Sequence, residues 1–547
     1  MKPGLPGAAF LLILAGCTKQ AASPTQAPYF RDITEAAGLH YRWTQPSKTP
    51  LNLKETIGNG CAFLDFDHDG NLDILLVGAP CALFRGDGKG QFTPAEFPKL
   101  TGAFLGCAVG DFDHDGYPDI YLTAFAGGAL LHNEGGKRFT EISAAAGITP
   151  QPWGTAATWV ETTPGSGKLD LFVANYVDFS PERGARLLCD TRDAHGASIL
   201  AACGPREYEP LPAAFFQNLG TGRFTDASVS SGVKAQTRGR GLGVAACDFS
   251  GSGRLGIAFA NDEAPSDLLM PTANGKGFTN QADALGVAYD SDTKLHAGMG
   301  LDWGDYDNDG WPDLVVTTFR HEPNSLYHSE GGKVFKDVGF AAGIGAATEP
   351  YVAFGCRFLD FDNDGWLDLA FTNGHVQDNV QKLDASTTYT QPSQLFQNQN
   401  GRFADVSRAG GPSFAKPILG RGLATGDFDN DGAVDLLLVD SQGAPLLLHN
   451  ETAGAGRGHW LGLVLEGTKS NRDGYGATVT VTLPGGKTLV RHCHADGSYL
   501  SSSDPRVHIG LGAAVGVEKV VIRWPSGTVQ TLATPGLDRY LPVREGP

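Results

Sequence analysis

Apolar side chains in this chain come in strand-length runs, and acidic stretches of one fixed form separate them. DILLV, DIYLT, DLVVT, DLAFT and DLLLV are the clearest runs. Each starts on the Asp that closes a nine-residue stretch: DFDHDGNLD at 65–73, DFDHDGYPD at 111–119, DYDNDGWPD at 305–313, DFDNDGWLD at 360–368 and DFDNDGAVD at 427–435. The residues before the stretches are strand-like and marked by Gly, as in GCAFL, GCAVG and GCRFL. Short apolar runs bounded by turn residues predict a strand, a loop and a second strand. A further signal recurs downstream: L-x-x-N, a Gly-rich turn, then F-x-D/E, as in LLHNEGGKRFTEI, FFQNLGTGRFTDA, LYHSEGGKVFKDV and LFQNQNGRFADV. It predicts an outer hairpin.

The spacing sets the architecture. The gap between the loops at 111 and 305 is too long for one unit, and two decayed copies fill it. WVETTPGSGKLDLFV at 159–173 keeps Asp170, and DFSGSGRLGI at 248–257 keeps Asp248. The total is then seven units of about 45 to 65 residues, with one longer spacing of about 86 that carries an insertion at 178–213. Repeats of this period, with several short strands each, predict an all-β, seven-bladed propeller. The seventh unit stops at LLLHN (446–450) without its F-x-D strand, while YFRDITEAAGL (29–39) carries that pattern with no unit of its own. The expectation is that 29–39 completes the last blade and removes an exposed edge.

The acidic stretches carry the chemistry. Carboxylates stand at positions 1, 3, 5 and 9, with Gly at 6. Four like charges this close repel strongly unless a cation sits among them. Calcium, which takes six to eight oxygens in flexible geometry, is the natural partner. The predicted ligands are Asp65, Asp67, Asp69 and Asp73; Asp111, Asp113, Asp115 and Asp119; Asp305, Asp307, Asp309 and Asp313; Asp360, Asp362, Asp364 and Asp368; and Asp427, Asp429, Asp431 and Asp435. The backbone carbonyl of position 7 (Asn71, Tyr117, Trp311, Trp366, Ala433) is the expected extra ligand. These are not EF-hands, which need a Glu at position 12 and flanking helices. About five calcium ions per chain are expected.

Charge agrees. Lys plus Arg is 42 and Asp plus Glu is 60, a net of −18. The five loops hold 20 of those acids, and five calcium ions would bring the net to about −8. An acidic chain argues against nucleic acid, which wants a basic face.

At the N-terminus, an apolar run (AAFLLILAGC) has the length of a signal-peptide core. Leu14-Ala15-Gly16-Cys17 looks like a bacterial lipobox, with cleavage before Cys17 and lipid on its thiol. An ordinary secretory signal cut near Ala22 is the alternative. The expected layout is a signal peptide at 1–16, a tether at 17–28, the propeller at 29–450 and a small antiparallel β domain at 458–547, with the lipid as the only membrane anchor. Nine cysteines are present. In an oxidising compartment Cys189 and Cys203, both in the insertion, are expected to pair. Cys61, Cys107 and Cys356, each four residues before a loop, read as small buried thiols. No C-x-x-C motif supports zinc or thioredoxin chemistry.

The C-terminal text contains NRDGYGA (471–477), SYLS (498–501), HIGLG (508–512) and WPSG (524–527), which resemble the ASPIC/UnbV domain. The acidic repeats resemble FG-GAP/VCBS repeats. AGMGLDWGDYDNDG (297–310), TNGHV (372–376) and RGLATGD (421–427) are similar to the bacterial branch of the cartilage acidic protein family. The resemblance covers about 29–540 and implies an integrin-α-like calcium propeller. It departs at the third and fourth loops, which have lost acids, and at Tyr475, where an aliphatic residue is usual.

His296, His375, Arg240 and Arg421 fall near inner strands, where they would line a central channel. His492 and His494 alternate along one strand. There is no G-x-S-x-G, no H-E-x-x-H and no phosphate loop. No catalytic set is assigned. The reading is a non-enzymatic, envelope-tethered calcium propeller that binds an extracytoplasmic protein or glycan. The alternatives are an enzyme at the channel mouth, acting on a polysaccharide or a secreted small molecule, and a scaffold for envelope assembly.

Overall fold

The computed structural model describes residues 1, 27–44, 48–180, 186–193, 195–452 and 458–547. The expected lipid site Cys17, the body of the leader and most of the tether lie outside the described residues.

The repeats form four-stranded antiparallel units, each a meander from inner to outer strand. The first is Cys61–Leu64, Asp73–Leu76, Ala82–Gly86 and Phe92–Ala95. The last is Gly420–Gly426, Asp435–Asp440 and Leu446–Asn450, with Phe30–Asp32 as its outer strand. Phe30 pairs with Asn450 and Asp32 with Leu448, so the N-terminal segment supplies the missing strand. Ile33, just beyond it, packs with Phe84 and Phe92 of the first unit as well as Leu437 and Leu447 of the last. The segment thus clasps both sides of the seam. Five such sheets and one double sheet, joined where Trp153 pairs with Phe125, give seven units. Their inner strands touch in a closed cycle, from Cys61–Leu64 through each neighbour to Gly420–Gly426 and back.

Continuous apolar runs follow from this packing. Along the second strand of the first unit, Ile74 and Leu76 face the seam with the seventh unit. Leu75 and Val77 face the second unit. Side chains alternate across a strand, and here both faces are buried between blades, so no polar face is left.

The L-x-x-N signal has a structural cause. Asn133, Asn218, Asn398 and Asn450 are buried at the end of each third strand. Each side-chain amide donates to a carbonyl of the preceding unit's loop: Asn133 to Phe66 O at 2.8 Å, Asn218 to Phe112 O at 2.8 Å, Asn398 to Tyr306 O at 2.7 Å and Asn450 to Phe361 O at 2.8 Å. The motif stitches blade to blade.

The C-terminal region forms two sheets, one of Val507–Gly512, His459–Glu466 and Tyr540–Arg544, the other of Thr488–His492, Thr478–Thr482, Lys519–Arg523 and Val529–Ala533. The expectation of a wholly antiparallel domain needs one correction. Tyr540–Arg544 runs parallel to His459–Glu466, because the chain crosses the second sheet before returning beside its first strand. This domain shares a core with the second and third blades through Phe112, Trp159, Tyr475 and Trp524.

Candidate metal centres

All five complete loops fold alike. The position-1 carboxylate accepts two backbone N–H groups across the turn. Asp69 N and Gly70 N donate to Asp65 at 3.0 and 2.9 Å, and the same pairs recur at Asp111, Asp305, Asp360 and Asp427. Position 4 is left-handed in each: His68, His114, Asn308, Asn363 and Asn430 have φ between 55° and 67°. Asn tolerates this region better than most residues, and Gly at position 6, with φ of 80–97°, does so freely. The N–H of each position-7 residue (Asn71, Tyr117, Trp311, Trp366, Ala433) donates to the position-5 carboxylate. Position 9 opens the second strand, and its buried carboxylate takes the position-2 N–H on one oxygen and a third-strand N–H on the other, as Asp73 does from Phe66 and Gly86.

Position 3 is different. Oδ1 of Asp67, Asp113, Asp362 and Asp429 is buried with no hydrogen-bond partner. An orphaned carboxylate oxygen is costly. Carboxylate oxygens of Asp65, Asp67 and Asp73 lie within 4.8 Å of one another, as do those of Asp111, Asp113 and Asp119. Oxygens bound to one calcium at 2.3–2.6 Å are at most about 5 Å apart, so the donor sets fit that ion. Burial, followed by the neighbouring acids in the second case, pushes Asp73 and Asp360 up to about 8. Their ionised forms are held at a cost that a cation would relieve.

Sequence reasoning missed the groups that hold position 3 from outside. Arg85 pairs with Asp67 at 2.6 Å, Gln397 Nε2 donates to Asp362 at 2.6 Å, and His449 Nε2 lies 3.1 Å from Asp429. His132 and His328 sit 3.6 and 3.4 Å from Asp113 and Asp307. Each precedes the Asn, Ser or Gly that ends the third strand, so a polar residue recurring just before that end was the available signal.

The decayed loops keep their shape by other means. Asp248 still accepts Ser252 N at 3.0 Å and Gly253 N at 2.6 Å. In the third unit the sequence reading overlooked Glu161. It accepts Gly167 N at 3.0 Å and, on its other oxygen, both the backbone and side-chain N–H of Asn471. Asp170 remains, bonded to Thr162 and Asn218 N.

Asn471 belongs to the C-terminal domain, which sits across the loop face. Asp473 accepts Asp111 N at 2.8 Å. Arg491 reaches Gly365 O at 3.1 Å and Asn308 Oδ1 at 3.5 Å. His508 Nε2 meets Asn363 Oδ1 at 2.7 Å, and Gly512 N donates to Asn363 O. Arg506 meets Asn430 Oδ1, and Tyr540 OH donates to Asp427 Oδ2 at 2.9 Å. The three loops reading N-D-G are thus the ones whose position-4 side chain meets a C-terminal Arg or His.

The SYLS segment enters the propeller axis. Ser498 and Leu500 are left-handed, with φ of 57° and 56°. Ser498 exchanges backbone hydrogen bonds with Leu301, Leu500 O accepts Cys107 N at 3.1 Å, and Ser502 N donates to Cys61 O at 3.0 Å. Tyr499 is fully buried, with its hydroxyl on Ile57 O at 3.0 Å. The channel is plugged from the loop face.

Of the other singled-out residues, His375 lines a cavity at the far end of the axis and Arg421 lies buried beside it, donating to Thr56, Gly374 and His375 carbonyls. His296 is buried with both ring nitrogens unpartnered. His492 and His494 line a small cavity under the C-terminal domain. Cys61, Cys107 and Cys356 are buried, and burial raises their thiols. Cys189 and Cys203 form a disulfide.

The ASPIC and UnbV family model matches residues 467–547, and the FG-GAP-like repeat model matches 65–122 and 305–371. Mouse cartilage acidic protein 1 is 25% identical over 394 residues, covering 71% of this chain and 54% of that protein. The human protein is 25% identical over 392 residues, covering 71% and 52%. The chain spans about half the length of these relatives. Among solved structures, an Agrocybe aegerita lectin described as recognising non-reducing terminal N-acetylglucosamine has a TM-score of 0.38 at 15% identity, covering 74% of this chain and 94% of its own. The WD40 propeller domain of Doa1 has a TM-score of 0.38 at 8% identity, covering 72% and 94%. Those scores are too low to transfer anything from either protein. The chain is thus similar, over these stretches, to FG-GAP-like repeats followed by a C-terminal ASPIC and UnbV region.

Proposed function

We propose that this chain is a calcium-loaded binding module of the cell envelope, tethered by lipid on Cys17 and facing the periplasm or the exterior. The observation that carries the calcium reading is the repeated orphan: four buried position-3 oxygens with no partner, each within a ring of carboxylates. Calcium would supply the missing positive charge. Asp65, Asp111, Asp305, Asp360 and Asp427 with their loop partners would hold it.

The same geometry supports a division between the two faces. Four of the five complete loops, those at 111, 305, 360 and 427, touch the C-terminal domain, so the metal's role would be structural: it would fix the loops on which that domain sits. The opposite face carries the disulfide-pinned hairpin Leu188–Arg192 and Ser198–Ala202. An extracytoplasmic protein or glycan would dock there, through binding and not through chemistry on it.

The test has two arms. Membrane fractionation of wild type and Cys17→Ala reads the tether; release of the variant to the soluble fraction is expected. Pull-down of envelope proteins and glycans, with and without chelator, reads the partner. Capture that survives deletion of 187–202 would contradict the assigned face.

A further inference from the structure

A cavity of about 340 Å³ lies on the propeller axis at the end away from the metal loops. Its position follows from the second strands. Gly256–Asn261, Asp313–Val316 and Asp368–Asn373 run from the loop face to the far face, where Asp262, Phe319 and His375 follow their ends. Tyr499 of the plug packs beneath it with Phe354, at 4.8 Å between rings. Ala202 and Cys203 of the insertion form part of its wall. Volumes of this order suit a small organic ligand.

The lining is divided. Leu242, Met299, Phe319, Phe354 and Val376 give an apolar wall. Asp262 and Glu263 stand at one corner, with Glu322 close enough to repel them. Asp262 accepts the Tyr176 hydroxyl at 2.5 Å. No basic side chain forms an ion pair with Asp262 among the described residues. Arg206 takes Glu263 at 2.8 Å, Arg320 takes Asp384, and Arg240, the nearest cation, places its Nη1 on Glu263 O. Of the four carboxylates named here, Glu263 and Asp384 are ion-paired, whereas Asp262 and Glu322 have no ion pair among the described residues.

A second polar group is unused. His375 is 4% exposed and lines the same cavity. Its Nδ1 accepts Gln377 N–H at 3.1 Å, which leaves the proton on Nε2. No described residue accepts that proton. Burial and the adjacent Arg421 keep the ring neutral, so it offers one donor.

We propose that this axial cavity binds a small organic cation, an ammonium group on an apolar body. Asp262 receives the ammonium, the apolar wall receives the body, and His375 Nε2–H meets an acceptor on the ligand where one is present. The inference does not rest on calcium or on the docking of a macromolecule.

The test uses the full chain in calcium and three probes of nearly one shape: 2-phenylethylammonium, 2-phenylethanol and 3-phenylpropanoate, titrated by calorimetry and by ligand-observed NMR. The cation is expected to bind saturably, at least about tenfold more tightly than either of the others, since truncating one partner of a buried charge pair typically costs this much or more. Asp262→Asn, close to isosteric, should weaken the cation by about tenfold or more and leave the alcohol unchanged. Leu242→Trp should abolish all binding by filling the cavity. Equal binding of the three probes to the wild type, no binding of the cation, or an undiminished cation affinity in a folded Asp262→Asn variant would each overturn the proposal.

Discussion

The loop at 427–435 and the loop at 248–253 have the same turn but not the same carboxylates. In both, the position-1 Asp gathers two N–H groups across the turn. Only the first adds Asp429, Asp431 and Asp435, and only there does a buried carboxylate oxygen lack a partner. Loop shape and metal demand are therefore separable. The turn is built by one carboxylate, a left-handed position 4 or its equivalent, and glycine. Of the added acids, Asp431 and Asp435 accept loop N–H groups from Ala433 and Phe428, whereas Asp429 Oδ1 accepts none, and together they crowd charge that a cation would balance. The third unit shows a different outcome, in which Glu161 is satisfied by Asn471 of the C-terminal domain.

The largest way to break this comparison is to remove the metal. A ligand held only by the folded state stabilises by about 2.7 kcal/mol when present at 100 times its Kd, and several sites add. Chelator should lower the melting temperature strongly and calcium should restore it; melting curves unchanged by chelator would contradict the demand for cations.

Next in size is the plug. Tyr499 is fully buried on the axis, and Tyr499→Ala should cost about 3–5 kcal/mol, as large-to-small changes of buried aromatics do. Hydrogen exchange should then rise along the inner strands at Cys61, Cys107 and Leu301, which the segment bonds. Exchange confined to 498–502 would show that the ring holds without it.

Smaller and more pointed is a pair of loop variants. Asp360→Asn and Asp65→Asn should each lose about one ion. Asp360 lies in the loop that meets His508, Gly512 and Arg491, whereas the described contacts of the first loop lie within the propeller. Only Asp360→Asn should raise exchange in 458–547. Equal responses would mean that docking does not depend on individual loops.

Acid sharpens the comparison from the other side. His492 sits under the C-terminal domain, and burial holds it down to about 3. A base whose folded pKa lies below its unfolded value near 6.5 binds fewer protons when folded. The part of the stability that His492 contributes is present above 6.5 and is lost as pH drops from 6.5 toward 3, while buried carboxylates such as Asp360 act in the opposite sense. His492→Gln should flatten part of that fall in melting temperature, measured in chelator so that proton competition for calcium does not enter.

Much of this was legible in the sequence, for physical reasons that differ by element. The period of the acidic loops gave the repeating four-stranded unit, and the orphan F-x-D pattern at Phe30 gave the closure, because strand pairing leaves a countable remainder. The clustering of the loop carboxylates was legible because they recur at fixed positions 1, 3, 5 and 9. His132, His328, His449, Arg85 and Gln397 stand at no fixed spacing from their loops, and their only signal was the shared place just before the residue that ends the third strand. The role of SYLS was hidden for a related reason: four residues say nothing about the ring they enter. Glu161 was missed because the third loop is one residue longer before Asp170 than the nine-residue form. The parallel return of Tyr540–Arg544 depends on a crossover that local patterning does not specify.

The most direct test is a calcium count by native mass spectrometry, on wild type, Asp248→Ala and Asp427→Ala. The account predicts five ions in the wild type, five in Asp248→Ala and four in Asp427→Ala, matching the five complete loops. A wild-type count of none or one, or the loss of an ion in Asp248→Ala, would contradict it.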